Sequence, residues 1–209
     1  MEILLTIAIA TVPARKQVFD ELMIELERQI KPYGKSIEII SLTDNMEISI
    51  GAKRNQLNQM AKGKYVVHWD DDDWICEGGI DMIMKGIESD CDVISYNIWC
   101  DVEEWMHRRY WHRWCSIKYG PVRQEWDNNQ DILLITPDQK QVIKKEILDK
   151  VPFVDIRYRE DVFFANDIFP YLKTEHYINE YIYHYVNRSG EDTFDLRKRY
   201  GIKRANSLL

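Results

Sequence analysis

Residues 65–74 read YVVHWDDDDW. Residues 65–69 form an apolar strand pattern that runs directly into four carboxylates, Asp70, Asp71, Asp72 and Asp73, after which Trp74 and Ile75 restore the apolar character. Adjacent carboxylates repel one another, so they persist at the end of a buried strand only where a cation sits among them or where water reaches them all. In extended chain, residues two apart point the same way. Asp70 and Asp72 are therefore expected to share a face and to hold one hard cation through oxygen ligands, with Asp73 a further candidate. A divalent ion bridging them to a diphosphate would neutralise a departing nucleotide. The plain alternative is a solvated acidic turn, which the apolar flanks disfavour.

The surroundings of this strand alternate. Residues 3–10 and 37–42 read as buried strands, and the stretch between them places Val18, Phe19, Leu22, Leu26 and Ile30 at helical spacing. A short helix is expected over 52–61, a second over 78–89, and a strand over 92–98. Strands alternating with amphipathic helices predict an α/β fold with a mostly parallel sheet covered on both faces. Ligands of such sheets sit outside the carboxyl ends of the strands. Three of those ends are polar, at 11–15, 43–45 and 70–73, and together they would form one crevice.

Beyond residue 98 the pattern is less regular. Residues 99–129 are crowded with Trp, Tyr, Arg and His. A strand is expected over 131–135, and Thr136-Pro137-Asp138-Gln139 has the form of a capping box that starts a helix. A further helix is expected over 160–169 and a last strand over 177–186.

The chain has 209 residues, 45% of them hydrophobic, which suits one domain with one sizeable core. Its formal charge of −7 argues against non-specific binding to nucleic acid or anionic membrane, although residues 107–113 and 197–204 form local basic patches. The first apolar stretch follows Glu2 and precedes Pro13 and Arg15, so a buried strand is expected there rather than a signal peptide. No run approaches the length of a membrane span. Cys76, Cys91, Cys100 and Cys115 lack a CxxC pairing, which argues against zinc and for reduced thiols.

The run IGAKRNQLNQMAKGKYVVHWDDDDW, residues 50–74, resembles the family 2 glycosyltransferases of GT-A fold. It shows their Gly (Gly51), Arg-Asn pair (Arg54-Asn55), A-x-G turn (Ala61 to Gly63), strand and Asp motif. Thr11, Val12, Pro13 and Arg15 occupy the place of the family's first nucleotide-binding turn, and Asp44 that of its base-contacting Asp. The resemblance implies a UDP-sugar donor and Mn²⁺ or Mg²⁺. Asp72 is implied as first metal ligand, and Asp70 and Asp71 as donor-contacting. Lys53, Arg54 and Asn55 are implied near the donor's polar groups. REDV, with Glu160 and Asp161, is similar to the family's late Glu-Asp pair, whose Asp is the general base of inverting members. On its own, such a pair is what the first turn of any helix favours. YIYHYVNRSG is similar to the closing strand and loop, which implies His184 at the metal and Arg188 at phosphate.

Trp105, Arg109, Trp111 and Trp114 fall where such enzymes build an acceptor site. Rings there can stack on a sugar or base, and Arg can pair with an anion. The bland alternative is a surface flap. The expectation is one domain over 1–209, with a nucleotide-sugar half (1–98) and an acceptor and catalytic half (99–209). The similarity is to compact soluble members of bacterial or phage type, which implies a cytoplasmic enzyme, in the host if phage-encoded. The acceptor stays open between a saccharide, a protein and a modified DNA base. Competing readings are a metal-dependent nuclease or phosphotransferase, and an inactive nucleotide-sugar-binding module.

Overall fold

The computed structural model describes residues 2–105, 108–121, 125–127 and 132–186, with side chains described outside 101–111 and 125–127. The first half runs β1 (Leu5–Thr11), α1 (Lys16–Ile30), β2 (Ile37–Thr43), α2 (Ile50–Met60), β3 (Tyr65–Asp70), β4 (Trp74–Ile75) and α3 (Gly79–Ile87). The second half runs β5 (Val93–Trp105), β6 (Arg108–Cys115), β7 (Glu125–Asp127), β8 (Ile132–Ile135), β9 (Val142–Lys144), α4 (Lys145–Leu148), α5 (Glu160–Ile168) and β10 (Glu175–Tyr185). Helix α2 begins two residues before the expected start, because the Ser49 hydroxyl accepts from Ala52 N at 3.0 Å and caps it there.

Strands β2, β1 and β3 are neighbours and parallel. The period-two alternation of their side chains explains the two covered faces. Leu5, Ile7, Ile9, Val67 and Trp69 pack with Leu22 and Leu26 of α1 and Ile80 and Ile83 of α3. Ala8 and Val66 point the other way, to Leu57 of α2 and Phe164 and Ile168 of α5.

The fold class is α/β, and the sheet as a whole is mixed. Beyond β3 the order continues β9-β5-β6-β8-β7, and β9 runs antiparallel to both β3 and β5. Strands β5 and β6 are antiparallel because two residues separate them, far too few for the crossover that parallel neighbours need. Strand β10 returns parallel to β5 and antiparallel to β4.

Two expectations are corrected. The Asp run is not extended beyond Asp70: residues 71–73 form a turn in which Asp73 N approaches Asp70 O at 3.5 Å. The alternation argument for Asp70 and Asp72 therefore does not apply. The Thr136 capping box starts no helix either. The Asp138 side chain turns inward on its own loop and accepts from Lys140 N at 2.8 Å, while Gln139 O accepts from His68 N of β3 at 3.0 Å. An Asx-type turn and a strand partner together outcompete the helical ladder.

Candidate active site

Register brings the polar strand ends together. Thr11 pairs with Thr43, and Ala10 with Asp70, so β1, β2 and β3 finish side by side. Outside them lies a cleft of about 610 Å³. Its walls include Val12 and Arg15 after β1, Lys53 and Arg54 of α2, Asp70 at the end of β3, and Glu160 and Asp161 of α5. Seven Lys or Arg side chains line the cleft against three Asp or Glu, in a chain whose net charge is −7.

The four aspartates have four different surroundings. Asp70 Oδ1 accepts from Arg54 at 2.9 Å, and its Oδ2 lies 3.2 Å from Lys140 Nζ. Burial would raise its pKa, but Lys140 and Arg54 outweigh burial and hold it well below the usual range. Asp71 accepts from the Thr11 hydroxyl at 2.6 Å and from Arg15 at 2.8 Å. Asp72 stands 3.3 Å from Arg15, a looser pair. Asp73 accepts from Tyr183 Oη at 2.6 Å and Val186 N at 2.8 Å, and burial together with the Asp70 charge raises its pKa.

Arg54 is the hinge of the site. Its guanidinium bonds both Asp70 and Glu160, so it ties the end of β3 to the start of α5. Burial alone would lower its pKa, and the surrounding carboxylates more than reverse that. Glu160 is 6% exposed, and burial raises its pKa against the pull of Arg54. Asp161, its neighbour, lines the cleft and accepts from Val162 N at 2.8 Å. Arg159, just before α5, has φ +67°, and Met46 on the same rim has φ +65°. Left-handed non-glycine residues of this kind concentrate at functional sites.

The other expected residues fall as follows. Lys53 bonds Thr11 O at 2.9 Å and pairs with Asp44, joining β1, β2 and α2. Pro13 opens a single 3-10 turn that ends at Arg15. Asn55 faces the loop before α5: it donates to Phe153 O and accepts from Phe153 N, both at 2.8 Å. His184 is buried in β10 opposite Trp74, one residue from Tyr183. Trp114 sits on β6 opposite Asn97, half-buried. The side chains of Trp105, Arg109 and Trp111 lie outside the described residues, as does Arg188 altogether.

Four residues were not singled out as site residues from the sequence. Lys140 and Gln139 sit in the segment read as a helix start, and Tyr183 donates to Asp73 while accepting from Asp70 N at 3.0 Å. Tyr185 lines the cleft under Arg113, whose guanidinium lies 4.6 Å from the ring centre. A polar run between two strands is the only signal Gln139 and Lys140 carry, and such a run more often marks a surface loop.

Among the described residues, no three His, Cys, Asp or Glu side chains converge as a metal cage. Magnesium and manganese bound at a diphosphate need none, because one or two carboxylates and the substrate's own phosphates complete the shell. Asp72, 3.3 Å from Arg15, is a carboxylate of the kind that donor set uses.

The sequence matches the family described as glycosyl transferase family 2 over residues 20–152, more than half of the chain. The chain belongs to glycosyl transferase family 2. The family match ends before Glu160 and Asp161, so the geometry around Arg54 is what connects that pair to the family 2 region. The fold is similar to that of S. aureus TarS. A crystal structure of TarS 1–349 in complex with UDP-GlcNAc superposes with TM-score 0.63 at 14% identity, covering 93% of this chain and 61% of that one. The 1–349 structure in complex with UDP gives 0.61 at 12% identity, covering 97% and 65%. A further crystal structure of TarS gives 0.60 at 13% identity, covering 97% and 39%. At such identities the likeness is one of GT-A fold, and the chain spans less than two thirds of each neighbour. No curated protein matches by sequence. No helix among the described residues of this family 2 member is long and apolar enough to cross a membrane.

Proposed function

We propose that this chain transfers a sugar from a UDP-sugar to an acceptor hydroxyl, with inversion at the anomeric carbon. The observation that carries the reading is the cleft at the ends of β1, β2 and β3, where Arg54 brings Asp70 and the α5 carboxylates together. A cation-rich cleft in an acidic chain suits a diphosphate. The TarS structures with UDP-GlcNAc and UDP support uracil as the base of the donor.

In this reading residues 1–98 hold the nucleotide and residues 99–209 supply the base and the acceptor side. Asp44 and Lys53 face the nucleotide, and Arg15 and Lys140 the diphosphate. Asp161 is the general base. It takes the proton of the acceptor hydroxyl as that oxygen attacks the anomeric carbon, and the bond to the diphosphate breaks with its electron pair leaving on UDP. Glu160, held by Arg54, orients the start of α5 and is not itself the base. Asp72 would hold a divalent cation, which would supply charge neutralisation for the leaving group. The acceptor reaches the cleft across the rim where Tyr158 is 81% exposed beside Arg157 and Arg159.

Calorimetric titration of UDP with and without Mn²⁺, on wild type and Asp72→Asn, tests donor and metal together. Metal-enhanced UDP binding that Asp72→Asn removes is the expected result. Binding that Mn²⁺ and the substitution both leave unchanged removes the metal from the reading. No UDP binding under either condition removes the donor. Turnover of a UDP-sugar panel, followed by NMR of the product's anomeric coupling, tests inversion.

A further inference from the structure

The loop between β8 and β9 is polar in sequence and buried in space. Thr136, Asp138, Gln139, Lys140 and Gln141 are each 7% exposed or less. A buried loop is stable only where its polar groups find partners. Gln141 Oε1 accepts from Tyr96 N at 2.8 Å, Asp138 Oδ1 from Lys140 N, and Lys140 pairs with Asp70. The backbone of Gln139 is pinned by its carbonyl, which accepts from His68 N.

The carboxamide of Gln139 is different. It is 1% exposed, and neither its oxygen nor its nitrogen has a hydrogen-bond partner among the described residues. Gln139 is among the residues that line the same cleft as Asp70, Lys140 and Asp161. A buried amide unmet at both ends is disfavoured, and natural folds keep few of them. A site built to hydrogen-bond a substrate is where such a group is retained, since the substrate completes it.

Its position selects which part of the donor that is. Lys53 and Asp44 stand at the β2-β1 side of the cleft, Asp70 ends β3, and Gln139 precedes β9 on the far side of β3. Beside Gln139, Lys140 pairs with Asp70, so the amide is a neutral polar group set among charged ones at that side of the cleft. A carboxamide offers one acceptor and two donors in one plane, a match for neighbouring hydroxyls rather than for phosphate. We infer that Gln139 is a specificity residue whose carboxamide hydrogen-bonds hydroxyls of the transferred sugar. This rests on the UDP-sugar reading above.

The test is the affinity of UDP, UDP-GlcNAc, UDP-glucose and UDP-galactose for wild type, Gln139→Leu and Gln139→Met, with melting temperatures alongside. Wild type should separate the three sugars by about tenfold or more, and both variants should shrink that spread to about twofold. UDP alone should bind all three proteins equally, and the variants should melt at or above wild type, because an unmet amide has been removed. Variants that keep the wild-type spread, or a wild type with no spread, overturn the assignment. Equal loss of UDP and UDP-sugar affinity also overturns it, by showing that the residue only holds the loop. If wild type binds none of the four ligands, the donor reading itself falls, which is a separate outcome. The Met side chain is unbranched like Gln, so a folding failure confined to Leu does not remove the test.

Discussion

Lys140 Nζ stands 3.2 Å from one oxygen of Asp70, while Arg54 bonds the other oxygen at 2.9 Å. Both cations are about 5% exposed or less, so Asp70 is clamped from two elements that the sequence separates by more than eighty residues. Removing one partner of a buried pair leaves the other charge uncompensated. Lys140→Met should therefore cost about 2–3 kcal/mol, less than a full orphan because Arg54 remains. The double variant with Asp70→Asn should recover part of that loss. Urea denaturation of the four proteins measures the coupling, and strictly additive costs would show that the two groups do not interact.

Asp161 and Glu160 are adjacent and should behave differently. Asp161→Asn should lower kcat by about 10²–10⁴-fold, the usual contribution of a general base, with the melting temperature and UDP affinity little changed. Glu160→Gln removes the negative partner of a buried Arg54 and should instead lower stability. Steady-state kinetics and thermal melts on both variants decide it. An Asp161→Asn enzyme with wild-type kcat would move the base elsewhere.

Gly51 lies against the loop that leads into α5. A Cβ there would stand 1.9 Å from Val154 O, a backbone atom that cannot swing aside, and Gly51 N donates to Ile156 O at 3.3 Å. Gly51→Ala should cost about 2 kcal/mol or more and lower activity with it, because residues 154–159 carry Glu160 and Asp161 behind them. Gly34, at φ +53° with open space around it, is the control. Gly34→Ala should cost about 1 kcal/mol through backbone strain and leave activity intact. Equal activity loss in both would sink the positional argument.

Asp92 provides a pH test away from the site. Its Oδ2 accepts from Lys173 N at 2.8 Å and Thr174 N at 2.9 Å, which locks the entry to β10. Burial pushes its pKa up, and those backbone donors more than reverse the push, so it lies below the ordinary value. A folded pKa below the unfolded one means stability that is fully present above the unfolded value, about 4, and is lost below it as pH falls through the folded value. Asp92→Asn should therefore be about 1 kcal/mol less stable than wild type at pH 7, and the gap should close toward pH 3. Urea melts at pH 7, 5 and 3.5 give the curve. A gap that stays constant across that range would assign the effect to shape rather than charge.

Much of residues 1–98 was legible because the signals there are local. Leu5, Ile7 and Ile9 alternate with Ala8 on two buried faces, and that pattern alone specifies a covered strand. The polar ends at Thr11, Thr43 and Asp70 follow from where those strands stop. Glu160 and Asp161 were visible as a pair at a helix start, and it took the fold to bring Arg54 between Glu160 and Asp70.

Alternating strands and helices, the acidic strand end and the family pattern of residues 50–74 can be read along the chain, because each depends on spacing within a few residues. What each carboxylate faces depends instead on contacts made in the folded chain. Asp71 meets Thr11 and Arg15, Asp73 meets Tyr183 and Val186, and Asp70 meets Lys140, from segments 56 to 113 positions away. The same holds for residues 136–141, where a capping-box signal worth about 1 kcal/mol lost to partners on β3 and β5 that no local window contains. Local propensities are small and short-ranged, whereas burying a polar loop commits every one of its groups to whatever the rest of the chain places opposite it.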